Sequence, residues 1–202
     1  MKNRKLLIFA GFCLSVSCIA YGLILSAAAA VPQHRPTTEK VEIIKNLSAP
    51  AAVIQQEEQT PPPVNTILGL SESLEAHINE TAELYGLAPD LIRAVIYVES
   101  RGQIDADNGL CYGLMQLNKT YTETFTIGAA VDNITDPENN ILAGCWHLAE
   151  LLEWADGNED LALMAYNLGQ SKARRYWAEG RHTTTYSENV QKAREQFVYT
   201  AM

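Results

Sequence analysis

Residues 94–118 read AVIYVESRGQIDADNGLCYGLMQLN. An apolar run closes on a carboxylate, Glu99. A loop rich in Asp, Asn and Gly follows, and Gly113 opens a second apolar run that ends at Gln116. Leu91, Ile92, Val95 and Ile96 recur at helix spacing, and Pro89-Asp90 supply a helix start. Glu99 therefore falls at a helix C-terminus, near Ser100-Arg101-Gly102. The helix dipole there disfavours negative charge, and apolar neighbours add a desolvation cost. Both effects raise a carboxyl pKa, which suits a general acid that must stay protonated near neutral pH. Taken alone, Glu99 has a plainer reading as a solvated residue at a helix end.

Outward from this stretch the signals stay helical. Leu74, Ile78, Ala82 and Tyr85 keep helix spacing, with Ser71 as N-cap and Gly86 as stop. Gly102–Tyr112 reads as a loop and Gly113–Thr120 as a short helix. Asp136-Pro137-Glu138 is a strong helix start, with Asp at the N-cap and Pro at the first helical position. That helix is expected to run to about Trp154, with Ile141, Cys145, Leu148 and Leu152 facing inward. Leu161–Asn167 reads as a buried helix closed by Gly169. Ser171 reads as the cap of another helix that stops at Gly180, and a last helix covers roughly Thr185–Gln196. Strand signals are nearly absent, so residues 66–202 are expected to form an all-α domain of ordinary size.

Residues 32–65 hold six of the eight prolines and no persistent period, which reads as a solvated Pro-rich linker. Before it, Lys2, Arg4 and Lys5 precede an uncharged, largely apolar stretch from Leu6 to Val31. Two readings stand for residues 1–31. One is a signal peptide with its cleavage site among Ala27–Ala30; the other is an uncleaved membrane anchor through residues 6–31, favoured by the length of the run. A lipid-attachment Cys18 is a weaker third. The first two export everything after Val31, to the cell wall or periplasmic space.

Residues 66–202 carry nine Lys/Arg against twenty Asp/Glu, a net charge of about −11. That argues against nucleic acid as a partner and favours a neutral or sugar-like substrate. Four scattered histidines (His34, His77, His147, His182) and no C-x-x-C motif give no support for a metal, and no cofactor is implied. Cys111 and Cys145 lie in the exported part, where a disulfide is chemically allowed; two buried thiols are the alternative.

Glu99-Ser100, then Gly113-Leu114-Met115-Gln116, then Ala165-Tyr166-Asn167 come in an order and spacing that resemble the lysozyme-like lytic transglycosylases, the soluble-transglycosylase type related to goose-type lysozyme. The stretch DPENNILAGCWHLAELLEWADGNEDLALMAYNLG and the tail RRYWAEGRHTTTYSENV extend the likeness over roughly Glu80–Gln196. The resemblance implies a mainly helical lysozyme-like domain acting on peptidoglycan glycan strands, with Glu99 as the catalytic acid/base. It implies that Ser100 orients the carboxyl and that Gly113 lets backbone approach sugar. Met115 would line the groove, and Gln116 and Asn167 would hydrogen-bond the sugar. Tyr166 would bring its hydroxyl near Glu99, and Tyr186 would sit at the cleft rim. Each has a structural alternative: Met115 and Tyr166 as core, Asn167 as a helix cap, Ser100 as a local backbone partner. Trp146, Trp154, Tyr176 and Trp177 read as core or rim packing.

Ordinary glycoside hydrolysis needs two carboxylates. Only Glu99 lies in a motif; Asp105 and Asp107, in the following loop, are the candidates for a second. The family route needs one carboxylate and gives a 1,6-anhydro-muramic acid product. A non-catalytic wall-binding module is the contrasting class. A partner enzyme of a secretion or wall-remodelling machine is a third reading, which the anchor and proline spacer suit.

Overall fold

The structure is a computed structural model and describes residues 67–198. The expectations for residues 1–31 and 32–65 lie outside the described residues. Seven α-helices and one two-stranded sheet make up the described chain: α1 (Glu72–Tyr85), α2 (Pro89–Ser100), β1 (Cys111–Tyr112), β2 (Leu117–Asn118), α3 (Thr122–Ala129), α4 (Pro137–Trp154), α5 (Glu159–Leu168), α6 (Gln170–Ala178) and α7 (Thr185–Val198).

The helix ends follow local chemistry. Ser71 accepts the Leu74 N–H at the start of α1, and Gly86 closes that helix in the left-handed region at φ 64°. Asp136 accepts the Asn139 N–H ahead of Pro137, and Asn158 caps α5 through Leu161 N–H. Thr184 and Ser187 cap α7 reciprocally, each hydroxyl accepting the other's backbone N–H. Ser171 lies inside α6, whose N-cap is Gly169 instead. Gly169 does two jobs there, ending α5 and starting α6 at φ 78°.

Two further departures concern the segment between α2 and α4. The expected helix over Gly113–Thr120 is a hairpin: Cys111 pairs with Asn118 and Tyr112 with Leu117 in antiparallel register. Gly113 and Gln116 both stand at positive φ, 81° and 47°, so no helix can pass through them. Thr122–Ala129 forms α3, for which the sequence pattern gave no reading. Of the two readings open for Cys111 and Cys145, the structure has the second: both are buried thiols and no disulfide joins them.

α2 lies at the centre, with Leu91, Ile92, Ala94, Val95 and Ile96 all buried. Its main neighbour is α7, which runs antiparallel to it: Arg194 bonds Asp90 near the start of α2, and Tyr186 bonds Glu99 near its end. The main core gathers α1, α2, α4 and α7 with Leu114, Met115 and Leu117 of the hairpin. A smaller cluster joins the end of α4 to α5 and α6.

The hairpin is tied to α4 by one side chain. Asn140, fully buried, donates to the carbonyls of Tyr112 and Ile134 and accepts the Met115 N–H. A Cβ on Gly113 would come within 2.6 Å of the Asn140 Cγ, so glycine is required for both its φ and its closeness to this amide. Asn140→Leu leaves three backbone groups without partners, at about 1–3 kcal/mol each. The urea midpoint of this variant is expected to fall by an amount worth more than about 3 kcal/mol, at unchanged slope.

Candidate functional site

Four segments converge on one carboxyl. α2 places Glu99 in its last turn and then stops, because Arg101 takes the left-handed conformation at φ 58°. The reciprocal cap at Thr184 and Ser187 holds the first turn of α7, which brings Tyr186 to Glu99. The Tyr186 hydroxyl donates to Glu99 Oε1 at 2.7 Å. Behind it, the ring of Tyr166 from α5 stacks on that of Tyr186, with centroids 6.5 Å apart and planes within 7°. The Tyr166 hydroxyl donates to the Met115 carbonyl of the hairpin turn at 2.9 Å. His147 of α4 closes the stack, 5.4 Å from the Tyr166 ring and 5.5 Å from Phe125.

The electrostatics follow from this packing. Desolvation raises the Glu99 carboxyl from its usual range to about 7, against the opposing pull of the Tyr186 hydrogen bond. Burial, and then the nearby Glu99 charge, hold both Tyr166 and Tyr186 well above the ordinary tyrosine value. Both therefore remain O–H donors at any working pH. Burial lowers His147 to about 4, so it is neutral at pH 7 and brings no positive charge near Glu99. Arg101, the next cation along the chain, lies over the Tyr97 ring at 4.1 Å. A carboxyl raised this far by burial can give and take a proton in turn near neutral pH.

The remaining candidates are placed differently. Met115 is 0% exposed and packs against Gly144, where a Cβ would come within 2.8 Å of the Met115 Cβ. It is a core side chain rather than a groove wall, and only its carbonyl serves the tyrosine stack. Gln116 is buried and held within the protein. Its amide nitrogen donates to Ala106 and Gly113 carbonyls, and its oxygen accepts from Asn108. It shapes the loop after Glu99. Ser100 donates to the Ile96 carbonyl and accepts the Gly102 N–H, so its hydroxyl serves the helix end. Gly113 approaches Asn140 closely. Asn167 is buried in the last turn of α5, one residue from Tyr166. Asp107 pairs with exposed Lys119 at 2.7 Å and accepts the Gly109 N–H, and these bonds lower its pKa. Asp105 is exposed in the same loop.

Two residues of this assembly had no role in the sequence reading. Asn140 stood inside a helix-start pattern, and an Asn in a first turn carries no mark of being buried. His147 was one of four scattered histidines. Its spacing from Tyr166 along the chain says nothing of their contact.

The family model for the Transglycosylase SLT domain matches residues 76–189, from within α1 to the first turns of α7. Among solved structures the chain is similar to an inactive mutant of lytic transglycosylase Slt from Pseudomonas aeruginosa, at 23% identity and a TM-score of 0.54. That match covers 63% of this chain and 24% of the other, so this chain shares the fold of about a quarter of the larger protein.

The raised carboxyl has a stability consequence. A group whose folded pKa lies above its unfolded value stabilises fully below about 4.5 and loses that contribution as pH rises through about 7. Glutamine does not ionise and still accepts the Tyr186 hydroxyl. Glu99→Gln is expected to unfold at the same temperature as wild type at pH 4 and higher at pH 8, by an amount worth about 1–3 kcal/mol. Calorimetry at the two pH values checks it.

Proposed function

The chain belongs to the Transglycosylase SLT domain family, and from that membership we propose that it is a peptidoglycan lytic transglycosylase with Glu99 as its acid/base. The reaction breaks the β-1,4 bond between N-acetylmuramic acid and N-acetylglucosamine. Glu99, protonated, gives its proton to the leaving glycosidic oxygen. As carboxylate, it then takes the proton of the muramoyl C6 hydroxyl, whose oxygen bonds to C1. One C–O bond breaks, one forms, the 1,6-anhydro ring closes and no water is consumed. Intramolecular attack of this kind benefits from proximity.

The observation that carries the reading is a single carboxyl in the last turn of α2, held at 2.7 Å by the Tyr186 hydroxyl and raised by burial to about 7 against that bond. Hydrolases of the two-carboxylate kind hold their second acid about 5–9.5 Å away. Among the described residues the Glu99 carboxyl has one side-chain hydrogen-bond partner, the Tyr186 hydroxyl, and no carboxyl is paired with it. Asp107, the alternative second acid, is engaged with Lys119. The same chemistry supports turnover over the non-catalytic binding module, since a buried acid near neutrality costs stability that a purely structural groove does not require. Within this reading Tyr186 positions the carboxyl, Tyr166 supports Tyr186, and Asn167 lies beside Tyr166 to meet the sugar. Export through residues 1–31, with a membrane anchor and the linker of residues 32–65 setting the reach to the wall, completes the proposal.

Mass spectrometry of peptidoglycan digested by the full chain, beside Glu99→Gln, is the test. Muropeptides ending in 1,6-anhydro-muramic acid from the wild type alone are expected. Reducing-end muramic acid instead points to the hydrolase with Asp105 or Asp107, and no product from either protein points to the binding module. Tyr186→Phe removes the bond that favours ionised Glu99. The alkaline limb of its pH–rate profile is expected to move up by roughly 0.5–1 pH unit from a wild-type limb near 7.

A further inference from the structure

Helix α6 reads QSKARRYWA, and Lys172, Arg174, Arg175 and the nearby Arg181 are four of the nine Lys/Arg in residues 66–202. Three of them surround one ring: Lys172 Nζ, Arg175 Cζ and Arg181 Cζ lie 5.6, 5.9 and 3.6 Å from the Tyr176 centroid. Arg174 lies 5.0 Å from the Trp154 ring, and Trp177 packs on His182 at 4.5 Å. Elsewhere most cations are matched: Arg93 pairs with Glu75, Lys119 with Asp107, and Arg194 with Asp90 and Glu159. On this face only Arg181 has a carboxylate partner, Glu179; among the described residues Lys172, Arg174 and Arg175 have none.

Helix stability accounts for Arg175, in the last turn of α6, but not for the whole cluster. Lys172 stands in the first turn of α6, where the dipole disfavours a cation. A guanidinium lying on an aromatic ring keeps its N–H edge free to grip a carboxylate with two bonds. We propose that α6 and the loop after it form a docking face for the carboxylates of peptidoglycan stem peptides, which rests on the transglycosylase reading and extends it to the peptide part of the substrate.

Position and charge both favour this occupant. Arg181 precedes Tyr186 by five residues, so their Cα atoms are at most about 18 Å apart. Tyr176 and Trp177 pack on the same cluster as Tyr166, whose ring stacks on Tyr186. An extended peptide reaches about 3.3–3.6 Å per residue, so a stem of a few residues spans from a muramoyl group at Glu99 towards this face. The domain as a whole, at a net charge near −11, repels an anionic polymer. A local cationic face then orients the domain on its substrate.

The test is cosedimentation of the full chain with sacculi, intact or stripped of stem peptides by an amidase, at low and high salt. The double variant Lys172→Glu/Arg175→Glu alters neither Glu99 nor the tyrosines bonded around it. Wild type is expected to bind intact sacculi about tenfold more tightly than stripped ones at low salt, and to lose that preference at high salt. The variant should lack the preference yet bind and cleave stripped glycan as wild type does. Lys172→Arg/Arg175→Lys should restore it, separating charge from folding. A charge-reversed variant that keeps the preference, or that weakens equally on both substrates, overturns the proposal. Anhydro-muramoyl products with no stem preference overturn the docking face alone. A stem preference without such products overturns the transglycosylase reading and leaves the face standing.

Discussion

The antiparallel packing of α7 on α2 is the constraint on which the rest of the molecule depends. It is pinned at two points: Tyr186 on Glu99 at one end, and Arg194 on Asp90 at the other. The pins are nine residues apart on α2 and eight on α7, so both span about 12–14 Å of helix and agree in register. Val190 and Ala193 between them and Phe197 beyond Arg194 are buried, with Phe197 edge-on to Tyr97 of α2 at 6.2 Å. The Arg194 end is half-exposed and also reaches Glu159 of α5. Ion pairs of that kind contribute little energy, but they fix register. Apolar burial supplies the adhesion, and the polar ends decide where along α2 it occurs.

That register puts a carboxyl among groups that carry no charge. The tyrosines stay protonated, His147 stays neutral, Arg101 lies on Tyr97, and Asp107 of the following loop is matched by Lys119. Burial is then the first cause of the Glu99 shift, with one hydrogen bond to temper it. The support reaches deep into the fold. Asn140 holds the Met115 N–H, the Met115 carbonyl holds Tyr166, Tyr166 stacks on Tyr186, and Tyr186 bonds Glu99. A position so constrained is what proton transfer requires, and its cost in stability is carried by the surrounding core.

Much of this was legible in the chain. Helix ends are written locally, so Ser71, Gly86, Pro89 and Asp136 announced α1, α2 and α4 correctly. That Glu99 falls in the last turn of α2 was legible because its position at an apolar helix end survives in one dimension. The hairpin was not. Leu114, Met115 and Leu117 make an apolar run that suits a helix as well as a buried turn, and short apolar runs do not distinguish the two. Gln116 stands at positive φ while its amide reaches across the loop to the Ala106 carbonyl, ten residues away, which no local pattern announces. Met115 and Gln116 were read as facing sugar because a motif names residues without saying which atoms face which way.

By itself, then, the sequence determined the starts of α1, α2 and α4, the acidic balance, the family and the acid at the end of α2, because each depends on neighbours within a few residues or on a pattern along the chain. Tertiary structure alone decided that Tyr186, 87 residues away, holds that acid, that Asn140 ties the hairpin to α4, and that Cys111 and Cys145 stay as separate buried thiols. The physical reason is common to all three. Desolvation, buried hydrogen bonds and close packing depend on which surfaces meet, and that is set only when the helices have docked.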